Sequence, residues 1–258
     1  MGFRYLDRLT NPEQRQTFLE LMDMAMGSGE DVQEAFALAH RLRDSAPMEH
    51  CLKLLRRDPA SAALLKARQA QPSYSIEALR QLPAGSLGST FASVMDTIGY
   101  DINFYPKASY FNNLETDADM VNYRVFATHD LHHILTGFSL DGYGELGVIS
   151  VSVAQFNYPG FAFLDLISLL SSWMGGDTPM DELQTPAEQA STTTYQWELI
   201  HRGLAIGQKA SLLFAIDWTQ HMDKNLESLR QDLGINPVMD GPFSWYSNPS
   251  LQQALGLR

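Results

Sequence analysis

The chain has 258 residues, of which 45% are hydrophobic, with a formal net charge of −12 and a pI of about 4.9. That is enough chain and apolar content for one sizeable core, while the acidic balance argues against binding nucleic acid or adhering to anionic membranes through bulk charge. A single cysteine, Cys51, excludes an internal disulfide and any cysteine-rich zinc site; it reads as a small core residue in a protein suited to a reducing compartment.

Met1 to Asp7 has neither the apolar run of a signal peptide nor the composition of a transit peptide, and Leu6 breaks the myristoylation pattern. Asn11 as N-cap and Pro12 in the first turn open a helix to Met26, ended by Gly27-Ser28-Gly29. Glu30 to Leu42, Pro47 to Leu55 and Asp58-Pro59 to Arg68 are three more short amphipathic helices, so residues 1–70 read as an N-terminal helical segment without chemistry of its own. After the break at Gln71-Pro72-Ser73 come a short helix at Ser75 to Gln81 and the turn Leu82 to Gly88. Gly85 and Gly88 there serve either a special backbone conformation or ordinary turn chemistry. No phosphate loop is present, because the Lys-Ser/Thr ending and a preceding strand are both missing.

A helix follows from Ser89 to Ile98, then the aromatic loop Asn103-Phe104-Tyr105-Pro106. Thr116 and Asp119, at capping-box spacing, start a long helix from Asp117 to Leu135, with Gly137 as its stop. Glu145 to Gln155 is helical, Asn157-Tyr158-Pro159-Gly160 interrupts, and Phe161 to Met174 resumes. The polar residues Ser150, Ser152, Gln155, Asn157 and Asp165 make this region a poor spanning helix and a reasonable cavity wall. The loop Gly175 to Pro179 leads to a long helix over Pro186 to Phe214 and a last one over Asp217 to Leu233, stopped by Gly234. No hairpin signal or alternating strand pattern occurs. The expectation is an all-α protein, a single helical domain with a core over 71–237 and an irregular tail over 238–258.

The chemistry concentrates in Thr128-His129-Asp130-Leu131-His132-His133, which holds three of the seven histidines, and in Glu145. On a helix, His129 and His133 lie one turn apart on one side, with Asp130 flanking that face and His132 flanking the other way. Glu145 comes from the next helix, and two helices presenting His and carboxylate inward is a recurring metal-binding arrangement. Nitrogen and oxygen donors without sulfur suit zinc, iron(II), manganese or cobalt. The pattern is not that of zincin proteases, which need Glu in the second position. An HD-type phosphohydrolase would need a further upstream His, and only His40 and His50 are available. Apolar segments at Val148 to Phe156 and Phe161 to Leu170 beside a polar metal site suit an amphipathic ligand, its polar head at the metal and its tail along the helices.

His129-Asp130-x-x-His133, eleven residues, then Glu145 resembles the hallmark of the coenzyme Q (ubiquinone) biosynthesis proteins of the fourth Coq type. The turn Leu82-Pro83-x-Gly85-Ser86-Leu87-Gly88, the segment Asp117 to Arg124, Gly144-Glu145-Leu146, and the run from Ala215-Ile216-Asp217-Trp218 to Leu226–Ile235 are similar to the same family, roughly over Arg56 to Pro237. Thr219 replaces an acidic residue often found there.

The resemblance implies an all-helical fold with an inward-facing metal site and an apolar lipid-binding cavity. It implies His129, Asp130, His133 and Glu145 as ligands of a divalent metal, zinc first, with His132 outside the ligand set. It also implies a polyprenylated benzoate or quinone intermediate as ligand, peripheral membrane association and contact with other quinone biosynthesis enzymes; a homodimer is a further expectation. Two functions follow. One is a metal-dependent decarboxylase acting at the ring carboxylate, with Arg124, about one turn before His129, orienting an anionic group. The other is a non-catalytic prenyl-lipid scaffold. The expected location is the cytoplasmic face of a bacterial membrane, or the mitochondrial inner membrane for a processed eukaryotic form.

Overall fold

The computed structural model describes residues 5, 7, 10–104, 111, 114–142, 144–175 and 185–257. Most of Met1 to Asp7, Tyr105-Pro106 and Gly176 to Pro179 lie outside them. The described residues form a single helical domain without strands. Its helices are α1 (Pro12–Gly27), α2 (Val32–Leu42), α3 (Ala46–Leu55), α4 (Pro59–Ala67), α5 (Ile76–Arg80), α6 (Leu87–Ile98), α7 (Asp117–Thr136), α8 (Glu145–Phe156), α9 (Pro159–Gly175), α10 (Pro186–Ala190), α11 (Thr193–Lys209), α12 (Leu226–Leu233) and α13 (Pro249–Ala254).

Helix α7 is the axis of the molecule. Its start is the expected capping box: Asp119 N–H donates to the Thr116 hydroxyl at 3.1 Å and Thr116 N–H to the Asp119 carboxylate at 2.9 Å. From Ala118 onward it is buried on nearly every side, which is the condition of a central helix. Helices α2, α3, α4, α6 and α8 pack around it. Its last carbonyls are satisfied from α12, where the buried Arg230 donates through Nε to Leu135 O at 2.8 Å and through Nη2 to Ile134 O at 2.6 Å.

Three segments depart from expectation, the first two because side chains or distant backbone claim the groups a helix would use. The long helix expected over Pro186 to Phe214 is divided, since Thr192 caps a fresh start by accepting from Tyr195 N–H. It also ends at Lys209, because the Gln155 amide of α8 bonds Ser211 O (2.9 Å) and Leu213 N–H (3.0 Å). The helix expected over Asp217 to Leu233 shrinks to a 3-10 turn at Trp218–Gln220 and α12. Between them, Met222 O and Lys224 O accept at 2.8 Å from Gly88 N–H and Leu87 N–H, which ties down the Leu82 to Gly88 turn. The expected irregular tail carries a 3-10 turn at Trp245–Ser247 and α13, capped by Asn248 and started by Pro249. Trp245 is buried, and its indole N–H donates to His133 O at 3.0 Å.

Asp165 on α9 is buried with one hydrogen bond, from the Ser150 hydroxyl at 2.9 Å, and its other oxygen has no hydrogen-bond partner among the described residues. Burial pushes its pKa up to about 7, against the partial opposition of the Ser150 bond. A carboxyl whose folded pKa lies above its unfolded value of about 3.9 contributes stability below that value and loses it as pH rises through the folded pKa. Between about pH 4 and 7 this group's contribution to the stability of the metal-free protein should therefore fall with rising pH, on the order of 1 kcal/mol per unit, while His132, whose pKa burial pushes down to about 3, works in the opposite sense up to about pH 6.5. Denaturant unfolding in EDTA should show the native chain losing stability relative to Asp165→Asn with that slope; parallel profiles would contradict the assignment.

Candidate metal centre

The turn between α7 and α8 builds the site. Gly137 ends α7 in the left-handed conformation (φ 84°), Ser139 N–H is held by Phe243 O at 2.8 Å, and Gly144 precedes Glu145 at the first position of α8. A carboxylate there is favoured by the helix dipole. On α7, His133 Nδ1–H donates to Phe138 O at 3.2 Å, a tautomer assigned from the hydrogen-bond network, and this turns Nε2 toward Glu145.

Three donors converge. His129 Nε2 lies 3.0 Å from Glu145 Oε2 and 3.0 Å from His133 Nε2, and His133 Nε2 lies 3.3 Å from Glu145 Oε1. Atoms bound to one ion at about 2.0–2.2 Å cannot be more than about 4.4 Å apart, and every one of these separations is inside that limit. The donor set and its geometry thus fit a borderline divalent metal. Burial alone would lower the pKa of His129, but the Glu145 carboxylate outweighs it and carries the pKa above its ordinary value. Burial likewise works against the Glu145 carboxylate, yet His129 and His133 hold it well below the usual range.

The group lines a cavity of about 680 Å³. Asp130, Tyr100, Glu30, Asp141 and Gln196 add polar groups to the wall, and Phe126, Leu146, Ile149, Phe161 and Leu164 add apolar ones. Burial raises the pKa of the Asp130 carboxyl, countered in part by His129 and His133. Burial and then the Glu145 carboxylate raise that of the Tyr100 phenol.

Of the sequence-predicted residues, His129, His133 and Glu145 are brought together. Asp130 lines the cavity but does not join the mutually close group, because it is one residue round the helix from His129. Arg124 is directed elsewhere: its guanidinium donates to Phe214 O at 3.0 Å, to Ile216 O and to the Gln71 amide oxygen, and it does not border the cavity. It fastens α7 to the loop after α11 instead of orienting a ligand. His132 faces Trp218, ring centroids 6.1 Å apart, and burial pushes its pKa down to about 3. Sequence reasoning did not single out Tyr100, a lone aromatic after the Gly99 cap of α6, or the wall that α1 and α2 contribute through Ala25, Met26, Val32 and Ala35.

A family model described as coenzyme Q (ubiquinone) biosynthesis protein Coq4 matches residues 24–239. This chain belongs to the Coq4 family. Among its relatives, the mitochondrial ubiquinone biosynthesis protein COQ4 of Clavispora lusitaniae is 27% identical over 77% of the chain, which spans 59% of that protein's length. The mitochondrial coq-4 protein of Caenorhabditis elegans is 26% identical over 74% of the chain and 76% of its own length. The crystal structure of a candidate ubiquinone biosynthesis protein from Nostoc punctiforme, 21% identical, superposes with a TM-score of 0.68 over 88% of this chain and all of its own, which shows a shared fold. Among the described residues of this Coq4-family chain, no helix is long and apolar enough to cross a membrane.

Proposed function

We propose that this chain acts in ubiquinone biosynthesis as a metal-dependent enzyme that removes the ring carboxylate of a polyprenylated hydroxybenzoate. The observation that carries the proposal is the convergence of His129, His133 and Glu145 in the wall of a cavity that also presents the apolar side chains of Phe126, Leu146, Ile149, Phe161 and Leu164. Three protein ligands leave coordination positions open, as a catalytic metal needs. When bound, such a metal supplies Lewis acidity toward a carboxylate or, if it is iron, dioxygen chemistry.

The protein's own part is to place the head group. Phe126, Phe161 and Leu164 exclude water around the ring, and Asp130, with its raised pKa, is poised to hold or give up a proton beside it. In the oxidative form of the reaction the bond from the ring to the carboxyl carbon breaks and carbon dioxide leaves. One oxygen atom of dioxygen becomes the ring hydroxyl, and two electrons and two protons from a reductant convert the other to water. Exposed Leu166, Trp173 and Met174 on α9 and Trp197 on α11 support contact with a membrane that supplies the lipid.

Metal-loaded protein given hydroxybenzoate with a labelled carboxyl group, dioxygen and a reductant should release labelled carbon dioxide, and chelation should stop it. Tight lipid binding with no release under any metal would replace the enzyme with the scaffold reading.

A further inference from the structure

The cavity and its ligand cannot be of one size. A space of about 680 Å³ lies in the range of roughly 300–1,000 Å³ that encloses a drug-sized molecule. It holds a head group and the first part of a chain, so a long prenyl tail has to leave the cavity and a molecule carrying one has to enter sideways.

One wall is built unlike the others. Helix α1 packs through a small cluster separate from the main core, made of Leu21 and Ala25 with Leu38 and Leu42 of α2 and Ile167 of α9. Leu21 and Ala25 are its only buried residues, while Leu19 and Met26 stay exposed and Phe18 meets Phe163 of α9 edge-on with ring centroids 5.8 Å apart. Its C-terminal end covers the cavity through Ala25 and Met26, opposite Leu164 and Ile167 of α9. Most of α1 precedes residue 24, where the match to the family model begins.

The joint to α2 is Gly27-Ser28-Gly29. Neither glycine has the left-handed φ that would require glycine in this conformation. A Cβ on Gly29 would meet nothing within 4 Å, and one on Gly27 only the side chain of Glu34, at 3.1 Å. Since the observed backbone needs glycine at neither position, and a Cβ on Gly27 would ask only the flexible Glu34 side chain to give by a few tenths of an ångström, what the pair adds is freedom to leave this conformation.

We propose that α1 is a hinged lid on the cavity, and that the seam between α1 and α9 is where a long apolar ligand enters and where its tail emerges. Resting on the prenyl-lipid reading above, this adds a path and a moving part to it. A helix that packs on α2 and α9 yet buries only Leu21 and Ala25 has little apolar area to lose on opening, as gating elements do.

Hydrogen exchange on the full metal-loaded chain, with and without geranylgeranyl hydroxybenzoate in detergent, tests it. Without lipid, α1 amides should exchange at least about tenfold faster than those of α7 and α8, and lipid should slow α1 by a similar factor. Gly27→Ala, which stiffens the joint, should slow both association and dissociation of the same lipid several-fold at nearly constant affinity, by stopped-flow fluorescence. Protection confined to α7, α8 and α9, with α1 and the Gly27→Ala rates unchanged, would overturn the lid and leave the functional reading standing. No protection anywhere would overturn the lipid-binding reading and the lid with it.

Discussion

Glu145→Gln is expected to abolish stoichiometric binding of divalent metal. The substitution keeps the shape of the side chain and removes the charge that faces His129 at 3.0 Å and His133 at 3.3 Å. Loss of an outer partner of a metal site costs about 10–100-fold in affinity, so loss of the one anionic ligand among these three should cost more than about 100-fold. Protons compete at the same place: Glu145 holds the His129 pKa above its ordinary value, so native affinity should fall as pH drops below neutrality and the imidazole protonates. Elemental analysis after gel filtration and calorimetric titration of zinc measure both effects. A folded Glu145→Gln protein with native metal content would remove this residue from the site.

The second large effect concerns what positions Glu145. Helices α8 and α11 approach so closely that a Cβ on Gly203 would lie 2.0 Å from Gly147 O and 2.7 Å from Ser150 Cβ. The nearer clash is with backbone, which cannot rotate away, so the overpacking in Gly203→Ala should reach the upper end of the usual range, about 3 kcal/mol. Alanine's better helix propensity returns about 1 kcal/mol, leaving a net loss of about 2 kcal/mol. Gly175→Ala, where a Cβ would meet nothing within 4 Å, should be close to neutral. Because Gly147 is two residues from Glu145, the shift that relieves the clash also moves the carboxylate, and metal affinity should fall together with stability. Urea unfolding and zinc titration of the two variants decide it; equal stabilities would mean that the α8–α11 contact yields freely.

Much of this architecture is legible in the sequence because its signals are local. The Thr116–Asp119 capping box, the Gly137 stop and the one-turn spacing of His129 and His133 each act within a few residues, and α7 follows from them. Glu145 is legible for the same reason, standing at the start of the helix after a short turn. The errors lie where distant groups intervene. Gln155 ends α11 from another helix, and the Leu82 to Gly88 turn claims carbonyls between Trp218 and α12. Arg124 sits about one turn before His129 in the chain, but three distant acceptors draw its guanidinium away from the cavity. The part of α1 and α2 in the cavity wall had no local mark, since Met26, Val32 and Ala35 keep ordinary amphipathic helical spacing and Ala25 carries no signal of its own.

The most direct test of the central claim, that His129, His133 and Glu145 hold a divalent metal, is X-ray absorption spectroscopy of the zinc-loaded protein. One zinc per chain is expected, with a nitrogen and oxygen shell at about 2.0–2.2 Å and the multiple-scattering signature of two imidazoles, lost in Glu145→Gln. Failure to retain zinc, or a shell without imidazole, would contradict it.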